Sequence, residues 1–147
     1  MFHDNFKVTG ELHIVLRDEF GNIKQEQIVP NLVVTAGKVL IALRLSGGGT
    51  APSHMGIGSG STAPGASDTA LGTELSTGAR PSMTITPSTN TVTYVGVFAP
   101  GVGTGAVTEA AIFNAASTGT MLCRTTFGVV TKAAADTLTI NWVVTVN

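Results

Sequence analysis

The C-terminal stretch of this chain alternates with a period of two. Leu138, Ile140, Trp142, Val144 and Val146 fall on one side, and Thr137, Thr139, Asn141 and Thr145 on the other. That spacing puts all five large apolar side chains on one face of a β-strand, whereas a helix would spread them around its axis. Burying such a face contributes about 8–12 kcal/mol before entropy, at about 1.5–3 kcal/mol per large side chain. A second layer must therefore lie over it, so the segment fixes a packed sheet as the starting point for the fold.

Other segments carry the same signal more weakly. In residues 6–17, Leu12, Ile14 and Leu16 alternate with Glu11, His13 and Arg17. Asp18-Glu19-Phe20-Gly21-Asn22 supplies turn chemistry. Ile23 to Val29 returns as the partner strand, ended by Pro30, which lacks a ladder donor. Ser82–Thr86 and Thr91–Ala99 flank the turn Pro87-Ser88-Thr89-Asn90. Thr108–Asn114 and Thr120–Phe127 flank Ala115–Gly119 as a second hairpin. One helix is expected, capped by Thr35, running from Lys38 to Leu45 and stopped by Gly47-Gly48-Gly49. Its apolar residues lie nearly all round, which predicts enclosure on most sides, by its own sheet or by a partner.

Between positions 47 and 78 the composition shifts to Gly, Ser, Thr, Ala and Pro, with His54–Gly58 the one short strand. A loop of this length in a compact domain is uncommon. The expectation is a mobile segment ordered in part by a neighbouring molecule. At 147 residues the chain has the size of one domain. About eight short strands separated by turns, with no βαβ alternation and no internal repeat, predict a mainly β fold. The expected form is a jelly-roll-like antiparallel β-sandwich with one short helix, as a single domain over 1–147.

Composition narrows the function. Only 12% of the residues are charged, about half the usual share, while 43% are hydrophobic. The exterior must then be built from Thr, Ser, Gly, Asn and apolar groups, a surface suited to being covered by another protein. Net charge is −1 and the eight Lys and Arg are scattered, so no basic patch for nucleic acid is expected. The start of the chain lacks the pattern of a secretory signal. The apolar run Val39–Leu45 is interrupted by Arg44 and too short to span a bilayer. The single Cys123 leaves no internal disulfide and reads as a small buried hydrophobe.

Candidate chemistry is sparse. Gly56-Ile57-Gly58-Ser59-Gly60 has the glycines of a phosphate loop but is followed by Ser61-Thr62-Ala63-Pro64-Gly65, with no helix and no lysine. Gly37-Lys38 lacks the rest of a Walker motif. His3, His13 and His54 have no neighbour at metal-ligand spacing, and Ser53, His54 and Asp68 are too few features for a triad. The expectation is a protein that is not an enzyme, with no catalytic, cofactor-binding or metal residues. One polar pair stands out. If Asn114 lies opposite Gly119, the antiparallel register sets Glu109 directly opposite Arg124, a cross-strand pair worth about 0.2–1 kcal/mol.

Several blocks also resemble structural proteins of tailed-bacteriophage virions. They are Asn31-Leu32-Val33-Val34-Thr35-Ala36-Gly37, Met55–Gly60, Asp68-Thr69-Ala70-Leu71-Gly72-Thr73-Glu74-Leu75, Glu109–Asn114, Met121–Phe127 and Asp136–Trp142. The resemblance, to capsid cement or decoration proteins above all, covers about two-thirds of the chain. It implies a non-enzymatic, cofactor-free particle component made in the host cytoplasm. Such a protein sits on the capsid exterior of the virion, bridges major capsid proteins and forms a homo-oligomer, dimer or trimer, with no nucleic-acid or membrane partner. Phe2, Phe6, His54, Met55, Leu71 and Leu75 are the candidate shell contacts. Residues 1–29 lie largely outside the recognised blocks and are read as a hairpin or an arm to a neighbouring subunit. Related blocks occur in tail-fibre and baseplate modules, the alternative reading, which predicts a trimer or hexamer on the tail. A carbohydrate-binding sandwich is the third; it would have to use Phe20 and Tyr94, since Trp142 falls on the buried face.

Overall fold

Trp142 and its alternate neighbours Leu138 and Ile140 are wholly buried, and the strand that carries them lies at the middle of the larger of two sheets. The computed structural model describes residues 6–76 and 80–147. In chain order the elements are Val8–Arg17 (β1), Ile23–Pro30 (β2), Leu32–Val33 (β3), Thr35–Leu45 (α1), His54–Gly58 (β4), Thr84–Ser88 (β5), Thr91–Phe98 (β6), Gly105–Phe113 (β7), Met121–Lys132 (β8) and Thr137–Val146 (β9). One antiparallel sheet has the order β2-β1-β9-β6-β5, the other β3-β8-β7-β4. The fold is thus the expected mainly β, jelly-roll-like sandwich with one helix. It has nine strands, the additional one being the two-residue β3.

The core forms where the inner faces meet. Leu12, Ile14 and Leu16 of β1, Phe98 of β6 and Leu138, Ile140, Trp142 and Val144 of β9 pack with Met55 and Ile57 of β4 and Ala110 and Ile112 of β7, whereas Val146, expected on the same buried face, is exposed at the strand end. Met55 can enter because Gly96 lies beneath it; a Cβ at position 96 would collide with the Met55 sulfur. Cys123 lies in the same core, as its sequence context predicts. Trp142 donates its indole N–H to Asn31 Oδ1 at 2.9 Å, so the largest core side chain leaves no polar atom unpaired.

Residues 8–29 are not a free arm. β1 pairs with β9 from Val8↔Val146 to Arg17↔Thr137, which makes the N-terminal hairpin integral to the larger sheet. The second hairpin also differs from expectation. β5 runs through Pro87 to Ser88, and the turn contracts to Thr89-Asn90, with Thr89 at φ 51°. Pro87 is tolerated because β5 is an edge strand.

The helix begins one residue earlier than predicted. Its N-cap is Val34, which provides no side-chain cap, while Thr35 donates its backbone N–H to the Ala66 carbonyl at 2.8 Å. Its end is a Schellman motif: Gly47 N–H bonds to Arg44 O, Gly48 N–H bonds to Leu43 O, and Gly47 takes φ 78°. Of the two expected sources of enclosure, the chain's own sheet does not cover the helix on most sides. Only Gly37 and Leu40 are buried, and Val39, Leu43 and Leu45 are exposed. The helix touches β8 along one side, and Gly37 makes that approach possible, because a Cβ there would strike the Leu122 carbonyl. Gly37→Ala is therefore expected to lift α1 from β8 and to cost at least about 1–3 kcal/mol, several degrees in Tm by thermal unfolding. Gly48→Ala, where a Cβ meets nothing closer than 3.4 Å, serves as the control and should shift Tm far less.

Candidate contact surface and the buried ion network

Glu109 and Arg124 do meet, but not as a surface pair. Asn114 bonds to Thr120 instead of lying opposite Gly119, and the β7–β8 ladder is irregular between Ile112 and Phe113; together these two one-residue shifts set Arg124 opposite Ala111 and Glu109 opposite Thr126. The charges therefore join diagonally, Arg124 Nη2 and Nε donating to Glu109 Oε2 at 2.8 and 3.0 Å. Glu109 is 0% exposed and Arg124 2%. A second irregularity explains the burial. Between Val107 and Glu109 three residues of β8, Phe127–Val129, oppose the single Thr108. Beyond this bulge Ala110 and Ile112 remain in the inter-sheet core, while Ala111 and Phe113 join a second cluster with Leu71, Val34 and Met121. Glu109 lies on that second side, beneath the Gly/Ser/Thr-rich segment.

The long segment is fastened by this pair. Glu109 Oε1 accepts backbone N–H groups from Gly60 at 2.8 Å and Thr73 at 2.9 Å, and Oε2 accepts the Gly72 N–H at 3.0 Å. Arg124 reaches outward to Asp68 Oδ2 at 2.7 Å and to the Thr62 carbonyl at 3.0 Å. Asp68 in turn accepts the Gly65 N–H at 2.9 Å. One carboxylate and one guanidinium thus hold five points between Gly60 and Thr73: Gly60, Thr62, Asp68, Gly72 and Thr73. The chain's own side chains bond these residues in place. The glycines that imitate a phosphate loop have a related use, since a Cβ at Gly58 or Gly60 would strike the Glu109 carboxylate. Their backbone surrounds the protein's own anion. Composition alone could not reveal this, because the carboxylate is 49 residues away from Gly60.

A second clamp closes the same layer. Arg80 lies over the Phe113 ring, 3.4 Å from its centroid, and donates to both oxygens of Glu74 at 2.7 and 3.0 Å. It also donates to the Ala115 and Thr118 carbonyls. Burial pushes the Glu109 carboxyl upward, but the amides of Thr73, Gly72 and Gly60 and the Arg124 guanidinium outweigh it and hold it below the usual range. Asp68 is held low by the Gly65 amide and Arg124, against burial, and Glu74 by Arg80 and Ser76, again against burial.

No family model matches this chain, and no curated protein or solved structure does either.

The candidate contacts separate into two groups. Met55 and Leu71 are buried, Met55 between the sheets and Leu71 under the long segment, so neither can meet a partner. Leu75 is half-buried and packs on the core. His54 is half-buried and shares a hydrogen bond with Ser53 Oγ at 2.8 Å through Nδ1, while Asp68 is turned to Arg124. Phe6 is exposed, and Phe2 lies outside the described residues. Tyr94 is buried, which drives its hydroxyl up to about 12, leaving Phe20 as the exposed member of the two aromatics expected for sugar stacking. Among the described residues no three His, Cys, Asp or Glu converge as metal ligands, and no helix is long and apolar enough to cross a membrane.

The exposed apolar surface gathers elsewhere. A groove of about 540 Å³ runs between α1 and the start of β1, lined by Phe6, Val8, Leu32, Ile41, Ala42 and Leu45, with Lys7 and Lys38 at its sides. On the other side of Ile41 and Leu45 a second hollow of about 410 Å³ reaches Ile85, Val92 and Val146. Leu45, 83% exposed, stands between the two. Its position just before the glycine run was the available sequence signal, because a helix end cannot be enclosed on every side.

The network also fixes a pH response. Each carboxyl held low contributes stability above its unfolded pKa, about 4.3 for Glu and 3.9 for Asp, and loses it as pH falls through the folded value. Thermal unfolding should show Tm level near neutrality and falling steeply below about pH 4. Glu109→Gln leaves three amides and Arg124 without their anion and should cost about 3–5 kcal/mol at pH 7. Its Tm should also fall less between pH 5 and pH 3 than that of the wild type.

Proposed function

We propose that this chain is a non-enzymatic, cofactor-free structural protein of a tailed-phage virion. In this reading it binds the outer surface of the major capsid protein shell as a cement or decoration protein and stabilises it. The observation that carries the reading is spatial. Five of the blocks that resemble such proteins, Asn31–Gly37, Met55–Gly60, Asp68–Leu75, Glu109–Asn114 and Met121–Phe127, are brought together in the layer around Glu109 and Arg124. Residues remote in sequence that resemble one family thus form one structural unit, which supports a resemblance of fold and not of scattered words.

The surface supports the same class of function. Glu109, Arg124, Asp68, Glu74 and Arg80 are engaged with one another, and Lys24 with Asp136, so a good part of the sparse charge of the chain is committed to its own ion pairs. Apolar side chains such as Phe6, Phe20, Ile28 and Leu45 stand out in solvent. A protein that binds many equivalent shallow sites gains from contact area and repetition, and closed symmetric arrays add avidity.

The test is addition of the purified chain to emptied or expanded capsids of the phage that encodes it, followed by electron microscopy. Regular density on the shell exterior and a higher temperature of shell disruption are expected. Density confined to tails would replace this reading with the tail-fibre or baseplate one, and no binding to either structure would remove both.

A further inference from the structure

The tip of the β1–β2 hairpin is built to hold one aromatic side chain out in solvent. Asp18 Oδ1 accepts the backbone N–H of Phe20 and of Asn22, both at 2.9 Å, and Asp18 Oδ2 accepts the Asn22 side-chain amide at 3.3 Å. Asp18 N–H bonds to Asn22 O, and Gly21 N–H to Asp18 O. The bonds from Asn22 and Phe20 hold the Asp18 carboxyl below its usual range, so the brace is in place at neutral pH. The five-residue turn is thus rigid, and Phe20 at its apex is 81% exposed. A preorganised exposed aromatic is the form that binding anchors take, since little ordering is left to be done on contact.

The groove beside α1 lies at the other end of the same strand. Val8, the first residue of β1, lines it, and Arg17, the last, leads into the tip. Ten residues of strand place the two about 30 Å apart, so a molecule cannot fill its own groove with its own tip. The charges are also segregated. Among the described residues Lys7 and Lys38 line the groove and no carboxylate does, while Asp18 and Glu19 immediately precede Phe20, with Arg17 the one cation of the turn. A slender acidic hairpin with an aromatic apex matches an apolar groove bordered by lysines.

We propose that the β1–β2 hairpin tip of one copy, led by Phe20, docks into the groove between α1 and β1 of a second copy. The contact is head-to-tail. Every copy keeps one free tip and one free groove, so association continues until the rotation closes a ring, or else runs on as a filament. The groove takes the aromatic ring of Phe20 among Val8, Ile41 and Leu45, and Glu19 lies within reach of Lys7 and Lys38. The interface is small, so association is weak and weakens further in salt, which screens the lysine–carboxylate contacts. This inference concerns the isolated protein and does not rest on the capsid reading; it can fail while that reading stands, and the reverse.

Sedimentation velocity on the full chain, from micromolar to millimolar concentration, tests it. The wild type should show a sedimentation coefficient that rises with concentration, less so at high salt. Phe20→Ser, altering an exposed turn residue, should weaken association at least about tenfold. Ala42→Glu, at an exposed helix position in the groove, should do the same, with the Tm of both variants close to wild type. Mixing the two is the decisive arm: Phe20→Ser retains a groove and Ala42→Glu retains a tip, so the pair should form a one-to-one heterodimer and grow no further. Lys38→Glu should weaken association, and Glu19→Lys added to it should restore part of the loss. A wild type that remains monomeric at every concentration overturns the proposal. So does association that survives Phe20→Ser, which would move the interface to another face such as α1 against α1, and so does a mixture that yields no heterodimer.

Discussion

Glu109 is the group on which the outer layer of this protein depends. A carboxylate with no exposed surface cannot stay ionised without partners, and here it has a guanidinium and three backbone amides, all at 2.8–3.0 Å. The arrangement also solves the opposite problem. A segment of glycine, serine and threonine has little apolar surface with which to fasten itself, and its backbone amides would be poorly placed under a covering layer. Binding them to a fixed anion on β7 satisfies both needs together. Leu71 then follows into the small cluster with Phe113 and Met121, and the segment becomes a third layer over the four-stranded sheet.

The features legible in the sequence were those that need only local periodicity. The alternation of β9, the β1–β2 hairpin, the arrest of α1 at the glycine run and the two-sheet architecture all follow from residues within a few positions of one another. The features misread were those set by contacts across the chain. Leu71 is among the candidate shell contacts by sequence, and nothing local in Ala70-Leu71-Gly72 shows that it packs with Phe113 in a buried cluster. Met55 likewise follows a polar His54, yet the absence of a side chain at Gly96 opens the core to it. The Glu109–Arg124 pair was visible as a pair, but its register shifted by an irregularity of the ladder that no spacing rule could supply. Its burial turned a small surface contribution into the fastening of a whole layer.

The helix shows the same limit from the other side. An almost entirely apolar sequence was read as enclosed, and such a helix in isolation would be. Two glycines settle the outcome instead: Gly37 brings one side of α1 against the Leu122 carbonyl, and Gly47 turns the chain away immediately after Leu45. Close contact on one side leaves the other side uncovered by any element among the described residues, and Val39, Leu43 and Leu45 stand in solvent.

Few charges and many exposed apolar groups therefore have one origin. The chain uses Glu109, Arg124, Asp68, Glu74 and Arg80 to hold a covering layer that its composition cannot hold by hydrophobic burial. What is left for the surface is a thin scatter of charges such as Lys7, Glu19, Lys38 and Arg44 among threonine, glycine and apolar side chains, a few of which collect at the two poles of β1. A surface of that kind gains free energy when it is covered, and it has little net charge with which to keep copies apart. With a braced Phe20 at one pole and a lysine-bordered groove at the other, copies that follow one another as proposed would cover both at once. The internal use of charge and the external readiness for contact are two results of the same composition.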